Sequence, residues 1–591
     1  MNHYIFVMAR LLRNVFLMNA AMCCCSAIMQ QPFEVEPERL HKRSLSIGQL
    51  NFLHTTDVHG WLGSHLLQPD YDADWGDFVT FFSSFRESRL DDTQDLILID
   101  SGDKHDGNGL SDATQPNGID TTKIFNEQDY DLLTLGNHEL YVPESTIMEY
   151  YATALSTKFK DKYVSSNVEF IKEDGELVPF GNKYIYFETP NAKLRILTLA
   201  FIFDFRRFND RAKVLPFEEE LKRTWFREML ELYPESTVDV LLVIGHMPVT
   251  DAENNEMARL HAILRKLYPN IIIQFFGGHS HVRDFVMFDG KSSGLQSGRF
   301  AETLGFLSID NVTIESPKFA RRYIDFNKES FKYHSEGHGK NAIDFSKGKQ
   351  ISKDLKYLRE ELQLDNEMGY VPKTYYMSAR PLKSDENIYH LITKEVLPRL
   401  SSDMTNSSIG RYIMINTGAV RYDLHKGPFT TDTEYIVLPF PNEWLYMELP
   451  LKVASKIEQY LNKGPMIASL APPQGIGLYS VDTSKSCPFI RQPYFTEGYT
   501  TSDDCGCKGD DTIHNSQAEY QMLNVVQSEQ LVSLDENEMV HFIFYSFLQP
   551  HILEAVNAID FSRSYDASDC TMYGGNSTKH LLRDYVKDIT K

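Results

Sequence analysis

Five short apolar runs in the first half of this chain each end in residues able to hold a metal ion, and that coincidence limits the possible folds more than any other feature. The runs LNFLHTTD, DLILIDSGD, DLLTLGN, VDVLLVIGH and NIIIQFFGGH are rich in leucine and β-branched residues, which reads as strands buried on both faces. After them come Asp57 with His59, Asp103, Asn137 with His138, His246, and His279 with His281. Stretches with helical spacing, DFVTFFSSFRESR and ESTIMEYYATALS, separate the runs. This alternation predicts an α/β domain over residues 47–318. In such sheets functional groups gather at the carboxyl ends of the strands, so residues as distant as 57 and 281 can meet.

Carboxylate, amide oxygen and imidazole together make a mixed donor set suited to zinc, manganese, iron or cobalt. The set exceeds the needs of one ion. Two divalent ions, about 3.5–4 Å apart and sharing the Asp103 carboxylate, are therefore expected, with a water between them acidified into a nucleophile. A lone histidine or aspartate after a strand is more often a cap or surface residue, and His54, His65 and His105 are read that way. The ordered set D-x-H, GD, GNH, GH and GHxH is not, because each glycine lets backbone pack close to a metal.

A chain of 591 residues is too long for one core, and 42% hydrophobic with 24% charged residues excludes a wholly disordered protein. The net charge of −23 disfavours nucleic-acid partners. It leaves anionic substrates open, because bound cations invert the local potential. Residues 1–27 carry Arg10 and Arg13, an apolar stretch from about Val15, and small residues Cys25-Ser26-Ala27, the order of a secretory signal peptide. A start-site extension or short anchor is the alternative. No later stretch reads as an integral membrane span, so a lumenal product, vacuolar or extracellular, is expected.

Residues 28–46 read as an N-terminal extension, 319–349 as a polar linker, and 350–591 as a second α/β domain. Within the last, residues 471–515 read as a long surface loop. The four later cysteines, Cys487, Cys505, Cys507 and Cys570, predict two disulfides, with Cys505 and Cys507 each joined to one of the distant pair. A zinc site is the weaker alternative. Sequons at Asn311, Asn406 and Asn576 are compatible with secretion.

TTDVHG, SGDKHDG, LGNHE, IGHMP and GGHSHV together resemble the calcineurin-like metallophosphoesterases, and DVHG with GGHSH is similar to the 5′-nucleotidase branch. NTGAVRYDLHKGPFTTDTEYIVLPFPNEW is similar to the nucleotide-binding part of that branch's C-terminal domain, and the architecture looks closest to its secreted and vacuolar fungal members. The resemblance implies an α/β fold in which a four-layer sandwich precedes a 5′-nucleotidase-type domain. It implies one metal held by Asp57, His59, Asp103 and His281 and a second by Asp103, Asn137, His246 and His279, with a hydroxide bridging them as nucleophile. His138 corresponds to the histidine that stabilises the phosphoryl charge or protonates the leaving oxygen. Asn137, Asn416, Arg421 and Phe440 correspond to substrate-binding residues, and Arg380 to a further arginine.

The expected activity is hydrolysis of a small phosphomonoester, a nucleotide first of all. A phosphodiesterase or sugar-nucleotide hydrolase is the alternative of the same fold. A catalytically silent scaffold is the alternative of another class, opposed by the complete ligand set, since unmetalled ionisable groups packed together cost several kcal/mol. Oligomeric state is not specified by any motif.

Two positions depart from the branch. Tyr141 stands where an aspartate usually orients the catalytic histidine, so the proton-transfer step is either retuned or uses another acid. The glycine-rich aromatic run that completes the base clamp is replaced by VHFIFYSFLQPHILEAVN, in which Tyr545 or Phe547 is the candidate substitute.

Overall fold

The computed structural model describes residues 28–31, 42–251, 254–314, 316–336, 345–464, 499–501, 503, 509–512, 515–517, 520 and 522–591. The expected signal peptide and Cys487, Cys505 and Cys507 lie outside the described residues. In chain order, the first unit runs through β1 (Ile28–Gln31), β2 (Leu50–Thr55), α1 (Trp75–Ser88), β3 (Asp95–Asp100), β4 (Leu132–Leu133), β5 (Ile185–Glu188) and β6 (Arg195–Ile202). It continues through β7 (Val240–His246), β8 (Ile272–Gly277), β9 (Val282–Asp289), β10 (Ser292–Ser297), β11 (Thr303–Asp310), β12 (Lys318–Asp325), α2 (Lys328–Ser335) and α3 (Ser346–Glu361). The second unit holds β13 (Arg411–Asn416), β14 (Trp444–Pro450), α4 (Leu451–Leu461), β15 (Tyr499–Thr501), β16 (Asn515–Gln517), β17 (Val525–Gln530), β18 (Met539–Tyr545), α5 (Gln549–Ile559) and β19 (Thr571–Met572).

Two large sheets form the core of the first unit, beside a small three-stranded sheet of Val168–Ile171, Leu177–Pro179 and Ala212–Val214. One has the order β12-β11-β2-β3-β4; the other has the order β16-β1-β15-β9-β10-β8-β7-β6-β5. The strands β2, β3 and β4 are parallel, as are β6, β7, β8 and β10. Between the sheets, Leu50, Phe52, Ile97 and Ile99 share one core with Val240, Leu242, Ile244 and Phe276. Alternate residues face outward. Leu53, Leu98 and Phe306 pack with Trp75, Phe78 and Phe82 of α1 and Ile351 and Leu355 of α3. Leu197, Leu241 and Val243 pack with Phe226, Met229, Leu260 and Leu264 from helices Thr224–Leu232 and Glu256–Leu267. Helix, sheet, sheet and helix thus form four layers. Each central strand must be apolar on both faces, which is why the runs show no polar alternation.

The stretch 319–349 is not a linker. It supplies β12, which pairs with β11 from Thr303↔Asp325 to Asp310↔Lys318, and then α2, whose Phe331 stacks on Phe81 of α1 at 4.6 Å. An edge strand buries only part of its surface, so FARRYID looked polar enough to be a connector. In the second unit the sheet order is β17-β13-β18-β14-β19, covered by α4 and α5.

The part of the expected surface loop that is described returns to the first unit. β15 runs parallel to β9 and antiparallel to β1. Arg283 meets Asp510 at 2.5 Å, His334 Nε2 lies 3.0 Å from Asp511, and Arg321 clasps Asp503. Cys570 is a free thiol, and the partners expected for it lie outside the described residues.

Arg283 and Asp510 are both fully buried, and losing one partner of such a pair costs about 3–5 kcal/mol. Arg283→Met is expected to lower the urea midpoint by that equivalent, whereas a change within about 1 kcal/mol, the size of a surface pair, would show that other contacts hold residues 509–512 in place.

Candidate metal centre

The candidate ligands sit just beyond the ends of β2, β3, β4, β7 and β8, where the backbone leaves the sheet sharply. Asp57, His59, Asp103, His279 and His281 all have positive φ, between 49° and 76°. Non-glycine residues adopt that conformation at a cost, and clusters of them mark sites held by their surroundings. The neighbouring glycines have a steric reason. A Cβ on Gly136 would stand 2.2 Å from Asp103 Oδ1, and one on Gly278 would stand 2.4 Å from Thr56 Oγ1.

The ligand atoms converge in overlapping groups. Asp57, His59 and His281 form one, Asp103, His246 and His279 another, and His59, Asp103 and His138 a third that links them, each within 4.8 Å. Asp103 Oδ2 is 3.1 Å from His246 Nε2 and 3.7 Å from His59 Nε2, so this carboxylate lies between the first two groups. His281 Nε2 is 3.5 Å from Asp57 Oδ1 and 3.0 Å from His59 Nε2. Asn137 Oδ1 lies 3.2 Å from His246 Nε2, with its amide group turned by a hydrogen bond donated from Nδ2 to Tyr141 Oη at 3.1 Å.

These residues fit cations on their own evidence. Asp103 Oδ2 and His279 Nδ1 are buried without a hydrogen-bond partner. His59 Nδ1 donates to the His105 carbonyl at 2.9 Å and His246 Nδ1 to the Ser101 carbonyl at 2.8 Å, which turns each Nε2 lone pair toward the centre. Burial pushes the Asp57 carboxyl up to about 7 against the pull of His246. Burial would raise Asp103 too, but His246 and His138 hold it well below the ordinary range. Burial pushes His279 down to about 3, leaving its nitrogens free to coordinate.

A second set of residues holds the first in place. Glu139 accepts from the backbone N–H of Asp103 (3.0 Å), Lys104 (2.7 Å) and Gly136 (2.6 Å), tying the loops after β3 and β4 together. Asp57 is braced by a relay in which His54 Nε2 donates to Ser101 Oγ (3.0 Å), Ser101 to Thr56 Oγ1 (2.7 Å) and Thr56 to Asp57 Oδ2 (2.6 Å). Glu139 was not singled out in the sequence, and His54, read there as a cap or surface residue, is fully buried; hydrogen bonds to groups distant in the chain leave no spacing pattern.

His138 lies beside this centre, its backbone N–H on Asp103 Oδ1 at 2.8 Å and its ring edge-on to His59 at 4.6 Å. The acid missing at position 141 comes from another loop. Asp106 Oδ2 accepts a hydrogen bond from His138 Nδ1 at 2.9 Å, and Asp106 is itself held by Asn117 Nδ2 at 2.7 Å and His105 Nδ1 at 3.2 Å. His138 Nε2 is buried with no partner. The second acid of SGDKHDG was the available signal for Asp106.

From the second unit, Arg421 reaches the centre. It is buried, with Nε and Nη2 unpartnered and its guanidinium 5.6 Å from the Phe440 ring. Burial lowers it to about 10, and its charge in turn helps hold His59, His279 and His281 down. Asn416 is buried at the end of β13. Arg380 is engaged within its own segment, 2.8 Å from Glu386 and 4.4 Å over the Tyr376 ring. Tyr545 is core, packed on Trp444 with its hydroxyl bonded to Thr578. Phe547 is part-exposed after β18, with Arg207 of the first unit 4.6 Å over its ring. The units are joined near the centre by Tyr422 Oη, 2.8 Å from Gln68 and 3.1 Å from Glu302, and by Asp432, which accepts from Gly109 N at 2.8 Å.

Comparison with known proteins agrees with this arrangement. Residues 50–283 match the calcineurin-like phosphoesterase family, and residues 374–553 match the C-terminal domain of NAD nucleotidase. The Saccharomyces cerevisiae protein YHR202W is 57% identical over 571 residues, covering 93% of this chain and 94% of the relative. A protein of Arthroderma benhamiae named as a secreted protein is 34% identical, covering 93% and 91%. The crystal structure of 5′-nucleotidase from Candida albicans aligns with a TM-score of 0.83 at 40% identity, over 93% of this chain and 99% of that one. A 5′-nucleotidase precursor from Thermus thermophilus shares the fold, with a TM-score of 0.57 at 15% identity. This chain is a phosphoester hydrolase of the calcineurin-like phosphoesterase family, a family whose fold implies divalent metal ions, and it carries a 5′-nucleotidase-type C-terminal domain.

Proposed function

We propose that the protein is a phosphomonoesterase of the 5′-nucleotidase kind, acting on a nucleoside monophosphate through two divalent ions. The observation that carries this reading is Arg421, a buried guanidinium with two open N–H positions beside the candidate ligands. A buried cation without a partner is costly, and a phosphoryl group held by the metals would complete it. Asp57, His59, Asp103 and His281 would hold one ion, and Asp103, Asn137, His246 and His279 the other. When bound, the ions acidify a water molecule and draw charge off the phosphoryl oxygens.

The remaining work falls to side chains. Asp106 fixes the His138 ring with Nδ1 protonated, leaving Nε2 to face the phosphoryl group and the leaving oxygen, where a histidine supplies either positive charge or a proton. Arg421 and Asn416 bind and orient the substrate. Phe440, with the Arg421 guanidinium over its ring, offers one face for a base, and Phe547 lies on the turn after the strand paired with β14. The order of residues 1–27 and the Arthroderma relative named as a secreted protein support delivery to the secretory pathway, vacuole or exterior. No helix among the described residues is long and apolar enough to cross a membrane.

Chelation is expected to abolish phosphate release from a panel of nucleoside monophosphates, with recovery on adding manganese, zinc or cobalt. Release that persists in chelator would overturn the reading. His138→Ala and Asp106→Asn are each expected to lower kcat by about 10²–10⁴-fold, the usual range for a lost general acid, while elemental analysis finds the metal content retained. If Asp106 acts through His138, the double variant falls no further than His138→Ala alone; additive losses would assign Asp106 a separate role.

A further inference from the structure

A second guanidinium lies at this site that neither the motifs nor the family pattern single out. Arg299 follows β10 on the turn Gly298-Arg299-Phe300-Ala301, where Gly298, Phe300 and Ala301 have φ of 86°, 53° and 51°. Two consecutive non-glycine residues in that conformation need strong anchors, and the turn has them. Phe300 N donates to the Asp57 carbonyl at 2.7 Å, and the Phe300 carbonyl accepts from His65 Nε2 at 2.7 Å. The Phe300 ring stands edge-on to His59 at 5.4 Å and to His281 at 5.3 Å. Arg299 is thereby tied to the floor of the candidate metal centre.

Its guanidinium lies over two aromatic rings, Phe300 at 4.6 Å and Tyr422 at 5.4 Å. The side chain is only 14% exposed, yet Nε has no hydrogen-bond partner, and the ion pair it makes, with Glu302, spans 3.8 Å. That is beyond hydrogen-bond range. Tyr422 adjoins Arg421, so the half-buried Arg299 and the buried Arg421, each with an unpartnered Nε, occupy the same junction. Arg299's charge is among the causes, after burial, that hold Arg421 down. Like charges placed so close repel unless an anion lies between them, and guanidinium groups bind phosphate oxygens through paired N–H donors.

We propose that Arg299 is a specificity-determining residue that contacts a second phosphate, one P–O–P bridge from the scissile group, and so lets the centre take a nucleoside diphosphate beside the monophosphate. This rests on the reading of the centre as a phosphohydrolase. In the reaction of the diphosphate the oxygen of water bonds to the terminal phosphorus and the bridging P–O bond breaks. Its electron pair goes to the bridging oxygen, the protons of water pass to the products and solvent, and inorganic phosphate leaves with a monophosphate ester. Arg421 would hold the terminal phosphoryl group and Arg299 the inner one.

The test compares kcat/KM for phosphate release from a nucleoside diphosphate and from its monophosphate in the wild type, R299K and R299M. A charged hydrogen bond is worth roughly 10- to 100-fold, so the diphosphate-to-monophosphate ratio is expected to fall by about that factor in R299M, chiefly through KM, and by less in R299K. The ratio is insensitive to the fraction of folded enzyme. A ratio that does not move in R299M overturns the proposal while leaving the phosphohydrolase reading intact. If the wild type releases phosphate from neither substrate, that reading fails, and calorimetry with methylenediphosphonate and with phosphate decides for Arg299 separately. A preference for the diphosphonate that is lost in R299M supports the role; a preference equal in both proteins removes it.

Discussion

The Asp103 carboxylate has more imposed on it than any other group in the protein. One oxygen accepts the His138 amide, the other faces His246 and His59 without a hydrogen bond, and the residue is held in a left-handed conformation with its backbone on Glu139. Buried, ionised and lacking a donor at Oδ2, it is stable only with positive charge close by. Divalent cations, which the family's fold implies, supply that charge once the imidazoles turn their lone pairs to the centre. The tight approach at Gly136 and the three amides gathered by Glu139 follow from keeping this one carboxylate in place.

The second unit works by the same economy of charge. Arg421 and Arg299 come from different sheets and meet around Tyr422, whose hydroxyl reaches Gln68 and Glu302 in the first unit. A layer of ion pairs, with Asp503, Asp510 and Asp511 set against Arg321, Arg283 and His334, joins the units a second time. Buried ion pairs add little net stability but are costly to break singly, so they favour one docking arrangement over others. That arrangement is what brings Arg421 of the second unit to a centre whose ligands all belong to the first unit.

Much of the site could be read from the chain because each candidate ligand directly follows an apolar run, and parallel strands buried on both faces must release their polar residues at the same edge. The GNHE motif exposed Asn137 and His138 in this way. The partner of His138 was hidden, since Asp106 reaches it from a loop after a different strand, and the expected position holds Tyr141, which instead turns the Asn137 amide. Arg380 matched a pattern in sequence but is engaged by Glu386, and the supposed linker is an edge strand and helix because burial on one face leaves a polar-looking run.

What the amino-acid order determined alone was the alternation of buried strands and helices, the donor chemistry of the strand ends and, through the motif series, the resemblance to a metal-dependent phosphoesterase. Periodicity and local chemistry are properties of neighbouring residues, so they survive in one dimension. Tertiary structure decided which distant groups brace those donors, that Asp106 bonds His138, that β15 and β16 return to the first unit, and that Arg299 stands near Arg421. Each of these depends on through-space distance between segments, which chain separation does not encode.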